Sequence, residues 1–291
     1  MLRNKAEADA FVFEAVLSDR DFCDLSKFIR AQCGIKVPPS KKLMLEGRLR
    51  RRLRTLGFSS FELYLKYLFS QEGAKNSEYI HLINEVTTNK TDFFREGKHF
   101  DFLTQYVLPE LVDRYGLGVR TKLNVWSAGC STGEEAYTLA MVLSEFAESV
   151  PAFDFSILAT DISTKVLAKA ADGIYEAAQI EVIPLLLRKK YLLKSKDKSR
   201  GLVRVAPSLR TLVRFQRLNF LDNAFAINQR MAVVFCRNVL IYFERTAQEA
   251  VLRRICRHMI SGGYLFTGHS ETLHNMDLPL DHCKSTVYRR H

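Results

Sequence analysis

No apolar run in this chain approaches the ~18 residues a membrane span needs, and its first residues carry no hydrophobic signal segment. The expectation is a cytoplasmic protein without membrane insertion. The six cysteines, Cys23, Cys33, Cys130, Cys236, Cys256 and Cys283, form no C-x-x-C pair and share no Cys/His ligand spacing. They read as scattered reduced thiols, which leaves neither a disulfide framework nor a metal site to expect. The G-x-G-x-x-G of dinucleotide binders is missing, and no Ser-His-Asp arrangement is evident. Acid is in short supply: 32 Asp and Glu stand against 43 Lys and Arg, a net charge of +11. Such a balance implies an acidic partner: nucleic acid, an anionic surface or a carboxylate-rich protein. What is present suits an ordinary globular protein, with 47% hydrophobic and 26% charged residues. A length of 291 residues allows one large core and a smaller domain.

The first stretch reads as helices only. Apolar residues at helical spacing run from Asp19 to Gln32 and stop at Gly34. Pro38-Pro39-Ser40 opens a second helix, with Leu45, Leu49, Leu53 and Leu56 along one side, and Gly57 ends it. Ser59, with Glu62 three residues on, caps a third, and a fourth runs from about Ser77 to Val86. Thr87 to Asp92 is a polar joint, followed by a long helix from about Phe93 to Tyr115. From Leu123 strands alternate with helices, which implies a parallel sheet. The strands are Leu123–Ser127, Phe155–Thr160, Leu212–Leu218, Met231–Phe235 and Tyr264–Thr267, with Thr286–Arg289 as an antiparallel edge. The fold class expected is α/β, a doubly wound Rossmann-like domain with a small β insertion, preceded by a small all-α domain. The boundaries are 1–86 for the helical domain, 87–116 for the linker and connecting helix, and 117–291 for the α/β domain. The insertion falls at about 191–210, where Lys194-Ser195-Lys196-Asp197-Lys198-Ser199-Arg200-Gly201 interrupts the rhythm.

The first βα turn is the most informative stretch. An apolar strand, Leu123-Asn124-Val125-Trp126-Ser127, runs through Ala128-Gly129-Cys130-Ser131-Thr132-Gly133 straight into a helix opening with Glu134-Glu135. Ligands of doubly wound sheets sit beyond the carboxyl ends of the strands. A helix N-terminus ordinarily welcomes phosphate, yet two acids occupy this one. A phosphate-free, partly cationic cofactor fits better, and S-adenosylmethionine is the candidate. The competing explanation is local, because Ser131-x-x-Glu134 and Thr132-x-x-Glu135 both match the capping box.

The rims of later strands supply further candidates. Asp161, at the end of the second strand, can accept both hydroxyls of a ribose; alternatively it caps the next helix, with Ser163 as competitor. Asn219 can read an adenine edge and Phe220 can wall the ring, or the pair is a turn residue beside a core aromatic. After the buried strand ending at Cys236, Arg237 and Asn238 emerge at the rim, with Tyr242 a little over one helical turn beyond. The joint can supply Asn89, Thr91 and Arg95.

Together, T-N-x-T-x-F-F-R-E, W-S-A-x-x-S-T-G-E-E, A-T-D-I, F-x-x-x-N-F, F-C-R-N-V-x-I-Y-F and G-H-S-E resemble the chemotaxis-receptor protein-glutamate O-methyltransferases, the CheR family, over nearly the whole chain. The resemblance implies S-adenosylmethionine contacts by Asn89, Thr91, Arg95, Glu135, Asp161, Asn219, Phe220, Cys236 and Arg237. It places Arg95 and Tyr242 nearest the transferred methyl group, as the catalytic pair. The implied reaction is methyl transfer to glutamate side chains of chemoreceptors, giving glutamyl methyl esters and S-adenosylhomocysteine. A glutamate (pKa ~4.3) is already an anion at neutral pH, so the reaction needs no strong general base.

The segment Lys41 to Arg54 holds seven basic residues and one acid beside an apolar stripe. A charge run is usually a solvated face; this density favours a docking surface, and the resemblance implies that Arg48, Arg51 and Arg52 there face the acidic methylation helices of a receptor. In some members of the family the insertion adds a receptor C-terminal peptide to its edge. Here the usual Gly-x-Gly turn is replaced by Lys194-Ser195-Lys196-Asp197. The expected assembly is a monomer. The rival reading is a nucleic-acid methyltransferase using the basic helix. Against it, Cys236-Arg237-Asn238-Val239 stands where amino-group methylases carry Asn-Pro-Pro-Tyr, and no aromatics interleave with the basic run.

Overall fold

The computed structural model describes residues 15–197, 199 and 201–291. The first fourteen residues of the expected helical domain, and Lys198 and Arg200 of the basic stretch, lie outside the described residues. The chain divides into two units, one running to Thr88 and including Tyr242–Glu244, the other comprising Asn89–Ile241 and Arg245–His291.

In the helical unit, α1 (Asp19–Cys33) starts where Ser18 accepts the Asp21 N–H at 3.0 Å and stops at left-handed Gly34. A turn of 3₁₀ helix at Pro39–Lys41 leads into α2 (Lys42–Leu56), closed by Gly57 in the same conformation. The cap of α3 (Phe61–Leu68) is Ser60 rather than Ser59, its hydroxyl accepting the Leu63 N–H at 3.3 Å. A short α4 (Gln71–Lys75), too brief to show periodicity, precedes α5 (Glu78–Val86). Phe22, Leu25, Ile29, Leu45, Leu49, Leu53, Phe61, Leu65 and Leu82 form the buried stripes that hold the helices together.

The α/β unit opens differently from expectation. Residues 93–97 are a turn, and the helix begins only at Lys98, because Phe94 (φ 53°) and Glu96 (φ 57°) are left-handed and cannot belong to it. It runs as α6 (Lys98–Phe102), a π-helical turn at Leu103–Val107 and α7 (Leu108–Tyr115). Pro109 has no N–H to give the preceding turn, which widens there. Next come β1 (Leu123–Ala128), α8 (Glu134–Ser149), β2 (Phe155–Asp161) and α9 (Thr164–Asp172). They are followed by β3 (Ile174–Glu176), α10 (Leu185–Tyr191), β4 (Leu192–Lys194), β5 (Leu202–Val205) and α11 (Pro207–Arg210). The chain then forms β6 (Val213–Arg217), β7 (Met231–Cys236), α12 (Arg245–His258), β8 (Met259–Thr267), β9 (Leu280–Lys284) and β10 (Val287–Arg290).

The main sheet has the order β6-β2-β1-β7-β8-β10-β9, the first five strands parallel and the last two antiparallel. Strand order reverses between β1 and β7, so their carboxyl ends open the crevice that such sheets use for ligands. Two expectations need correction. The terminal segment is not the edge: β10 pairs with β8 on one side and β9 on the other, and β9 is the outermost strand. The insertion is a three-stranded antiparallel sheet, β3-β5-β4, so it recruits Ile174–Glu176 from well before residue 191.

Candidate active site

The loop after β1 is shaped by its own backbone. Gly129 and Gly133 have φ of 93° and 97°, and a Cβ on Gly129 would stand 2.3 Å from Val239 Cγ2. Packing against the chain therefore demands glycine there before any ligand does. The capping-box expectation is overturned: Gly133 is the N-cap of α8, with no side-chain cap. Ser131 instead donates its hydroxyl to the Asn89 carbonyl at 2.9 Å, and Thr132 donates to Glu134 at 2.6 Å.

Asp161 stands beside this loop. Its carboxylate accepts the Ser131 N–H and the Ser163 N–H, each at 2.9 Å. Ser163 caps α9, so Asp161 is not the cap of that helix. Burial pushes its carboxyl pKa up, while the N–H bonds from Ser163 and Ser131 oppose the shift.

Glu135 does not face outward as a charged guard. It accepts the Ser127 hydroxyl at 2.7 Å and Arg237 Nε at 2.9 Å, and burial raises its pKa against the pull of Arg237. Glu134 is equally enclosed, 1% exposed. The guanidinium of Arg237, its side chain 2% exposed, also donates to the Arg95 carbonyl at 2.7 Å and to His99 Nδ1 at 3.0 Å. One buried cation thus ties three motif segments together. The Cys236 thiol is fully buried, its pKa driven well up by desolvation. Arg95 is partly exposed and donates to the Lys90 carbonyl at 3.2 Å; Thr91 is also partly exposed. Asn219 forms the turn its residue type favours, accepting the Leu221 N–H at 3.0 Å, and Phe220 packs edge-on against Phe225.

A family model for the CheR methyltransferase SAM-binding domain matches residues 89–289, and one for the CheR methyltransferase all-alpha domain matches residues 20–87. The chain belongs to the CheR methyltransferase family. A chemotaxis protein methyltransferase of Borreliella burgdorferi is 39% identical over 250 residues, covering 86% of this chain and 87% of the relative. Those of Salmonella typhimurium and Escherichia coli are each 36% identical over 272 residues, covering 94% of this chain and 90% and 91% of theirs. As a CheR methyltransferase the protein is an enzyme that uses S-adenosylmethionine to methylate chemoreceptors. Among its described residues no helix is long and apolar enough to cross a membrane.

Two features of this CheR chain depart from the sequence reading. Of the three arginines expected to dock a receptor, Arg48 and Arg52 are turned inward. Arg48 closes the end of α5, donating to the Val86 and Thr87 carbonyls at 2.8 and 3.0 Å. Arg52 grips the buried Glu78 with two bonds, at 2.8 and 2.5 Å, and Tyr64 adds a third at 3.1 Å. Arg51 alone of the three is exposed. Tyr242 groups with the helical unit, where its carbonyl accepts the Lys36 N–H at 3.0 Å and the Lys41 ammonium lies 5.8 Å from its ring centre.

Sequence reasoning missed His99, Glu96 and Glu271. Glu271 accepts the backbone N–H groups of Asn238, Gly268 and Ile241 at 2.7, 2.7 and 3.2 Å, fixing the loop after β7. Its only signal was its place in G-H-S-E. Glu96, His99 and His269 bring ligating atoms within 4.8 Å of one another. A cation there would meet the Arg237 guanidinium, which already occupies the His99 lone pair, so the donor set does not suit a metal.

Proposed function

We propose that this CheR methyltransferase esterifies glutamate side chains on the methylation helices of a chemoreceptor, with the rim of β1, β2 and β7 holding S-adenosylmethionine. The observation that carries the reading is Asp161. Its carboxylate is fixed by two backbone N–H bonds beside the Gly129–Gly133 turn, at the place where a ribose would present its hydroxyls. Asn89, Thr91, Arg95, Asn219, Phe220 and the Cys236–Arg237 backbone complete the proposed cofactor contacts. Glu135 and Arg237 serve mainly by holding each other.

The cofactor supplies a methyl group activated on a cationic sulfur. A glutamate carboxylate takes the methyl carbon in line, a C–O bond forms as the C–S bond breaks, and the sulfur leaves as a neutral thioether. No proton is transferred, so the enzyme's work is alignment and exclusion of water. In this proposal Arg95 orients the incoming carboxylate and Tyr242 donates a hydrogen bond near the reacting atoms. The exposed Arg51 and its basic neighbours on α2 attract the acidic receptor helix. One of the two outer strands of the insertion, β4, offers an edge to which a receptor C-terminal peptide could add. Cytoplasmic location and a monomeric state belong to the same proposal.

Incubation with labelled S-adenosylmethionine and receptor cytoplasmic fragments tests it. A base-labile methyl ester on receptor glutamates is expected, and Tyr242→Phe should lower the rate without changing cofactor affinity. A base-stable methyl product, or methylation of RNA in place of receptor, would refute the reading.

A further inference from the structure

We propose that His99 is a positioning residue for methyl transfer, acting as a neutral acceptor that holds Arg237 and, through it, the backbone of Arg95. This rests on the reading that Arg95 works at the cofactor and the methyl group.

The hydrogen-bond roles around His99 leave one arrangement. Arginine only donates, so the nitrogen 3.0 Å from Arg237 Nη1, His99 Nδ1, must carry a lone pair. Nε2 then carries the hydrogen and gives it to Thr286 Oγ1 at 2.8 Å, whose own hydrogen goes to the Ser285 carbonyl at 2.7 Å. Phe266 meets the ring edge-on at 5.5 Å and fixes its plane. Burial, reinforced by Arg237, lowers its pKa to about 4, consistent with the neutral ring these bonds require.

Arg237 has three anchors: Glu135 at Nε, the Arg95 carbonyl at Nη2 and His99 at Nη1. The second matters because Arg95 lies between Phe94 and Glu96, both left-handed non-glycine residues. Such backbone persists only where its surroundings hold it. Its ties include the bond from Arg237 to the Arg95 carbonyl, the Phe94 N–H bond to Thr138 at 3.2 Å, the His99 N–H bond to the Glu96 carbonyl at 3.0 Å, and the bonds Glu96 Oε1 accepts from Asn238 Nδ2 and the His269 N–H, each at 3.4 Å. Without the His99 acceptor, the nearest alternative for Nη1 is Glu96 Oε2, 3.8 Å away and buried with no hydrogen bond of its own. The guanidinium would move toward that carboxylate, loosening its hold on the Arg95 carbonyl, and the Arg95 side chain would move with its backbone.

The experiment compares His99→Leu and His99→Asn in the full protein, with and without Arg95→Ala. Receptor methylation rate, S-adenosylmethionine affinity and melting temperature are read for each. Asn places an oxygen where Nδ1 stood, and Leu places none. His99→Leu should lower kcat/KM by about tenfold or more, the scale of losing a bond to a buried charge. His99→Asn should recover most of that loss. In the Arg95→Ala background His99→Leu should have little further effect, since the group it positions is gone. An equal loss from His99→Leu in both backgrounds, or no rescue by a folded His99→Asn, overturns the role of His99. Wild-type activity and affinity in Arg95→Ala alone would overturn the reading of Arg95, and this inference with it.

Discussion

Replacing Arg52 by Met keeps the aliphatic stem and removes the guanidinium. The side chain of Glu78 is 1% exposed and receives two bonds from that group. After the change the carboxylate retains, among the described residues, the Tyr64 hydroxyl at 3.1 Å. Breaking a buried pair from one side costs about 3–5 kcal/mol, since a charge is left without compensation. The described part of the helical unit, residues 15–88 and 242–244, has, at roughly 0.05–0.15 kcal/mol per residue, about 4–12 kcal/mol in total. Arg52→Met should therefore remove about a quarter or more of its stability, and at the lower total it unfolds the unit. The double change Arg52→Met, Glu78→Leu should cost less than the single one, because no charge stays buried. Urea titration followed by far-UV circular dichroism measures both. A loss under about 1 kcal/mol for the single variant, or a double variant worse than the single, would refute the reasoning. This also bears on receptor docking: reversing Arg48, Arg51 and Arg52 together would damage the helical unit, and lost methylation would say nothing about docking.

Asp161→Asn should weaken S-adenosylmethionine binding by roughly 1–3 kcal/mol, because a ribose hydroxyl would lose its anionic acceptor; unchanged affinity by calorimetry removes Asp161 from the site. Arg51→Glu, at an exposed position, should raise the KM for receptor and leave cofactor affinity alone. Its effect should shrink with added salt, since exposed charges are screened beyond about 8–10 Å near physiological ionic strength. A KM that ignores both the substitution and the salt would discard α2 as the docking surface. Stability should also fall in acid. His99 titrates at about 4 in the native protein and about 6.5 unfolded, so its contribution is complete above about pH 6.5 and is lost as pH falls toward 4. The wild type should lose more stability across that window than His99→Asn, and identical pH dependence would contradict the neutral ring.

The α/β half was legible because its strands are buried on both faces, so near-continuous apolar runs such as Met231–Cys236 mark them. Leu280–Lys284 escaped notice because four of its five residues are exposed and its side chains carry no alternation. The rim position of Asp161 followed from strand and loop together. The partners of Glu135 and Arg237 did not, since they lie 102 positions apart and no local pattern links them. The start of the helix near residue 93 was misplaced because left-handed φ at Phe94 and Glu96 is imposed by tertiary bonds. Arg48, Arg51 and Arg52 look alike in a charge run; only the positions of Glu78 and the end of α5 decide which of them point inward.

The molecule's single tryptophan lies in the middle of β1, fully buried, its indole N–H given to Thr160 Oγ1 at 2.9 Å. Phe225 and His258 meet it edge-on at 6.0 and 6.4 Å. Light absorbed only by indole is therefore absorbed only in the parallel sheet, two residues before the strand gives way to the Gly129–Gly133 turn. The helical unit is spectroscopically dark at that wavelength among its described residues. Emission from Trp126 should stay blue-shifted while the helices of an Arg52 variant melt, and shift red only when the sheet itself opens to water.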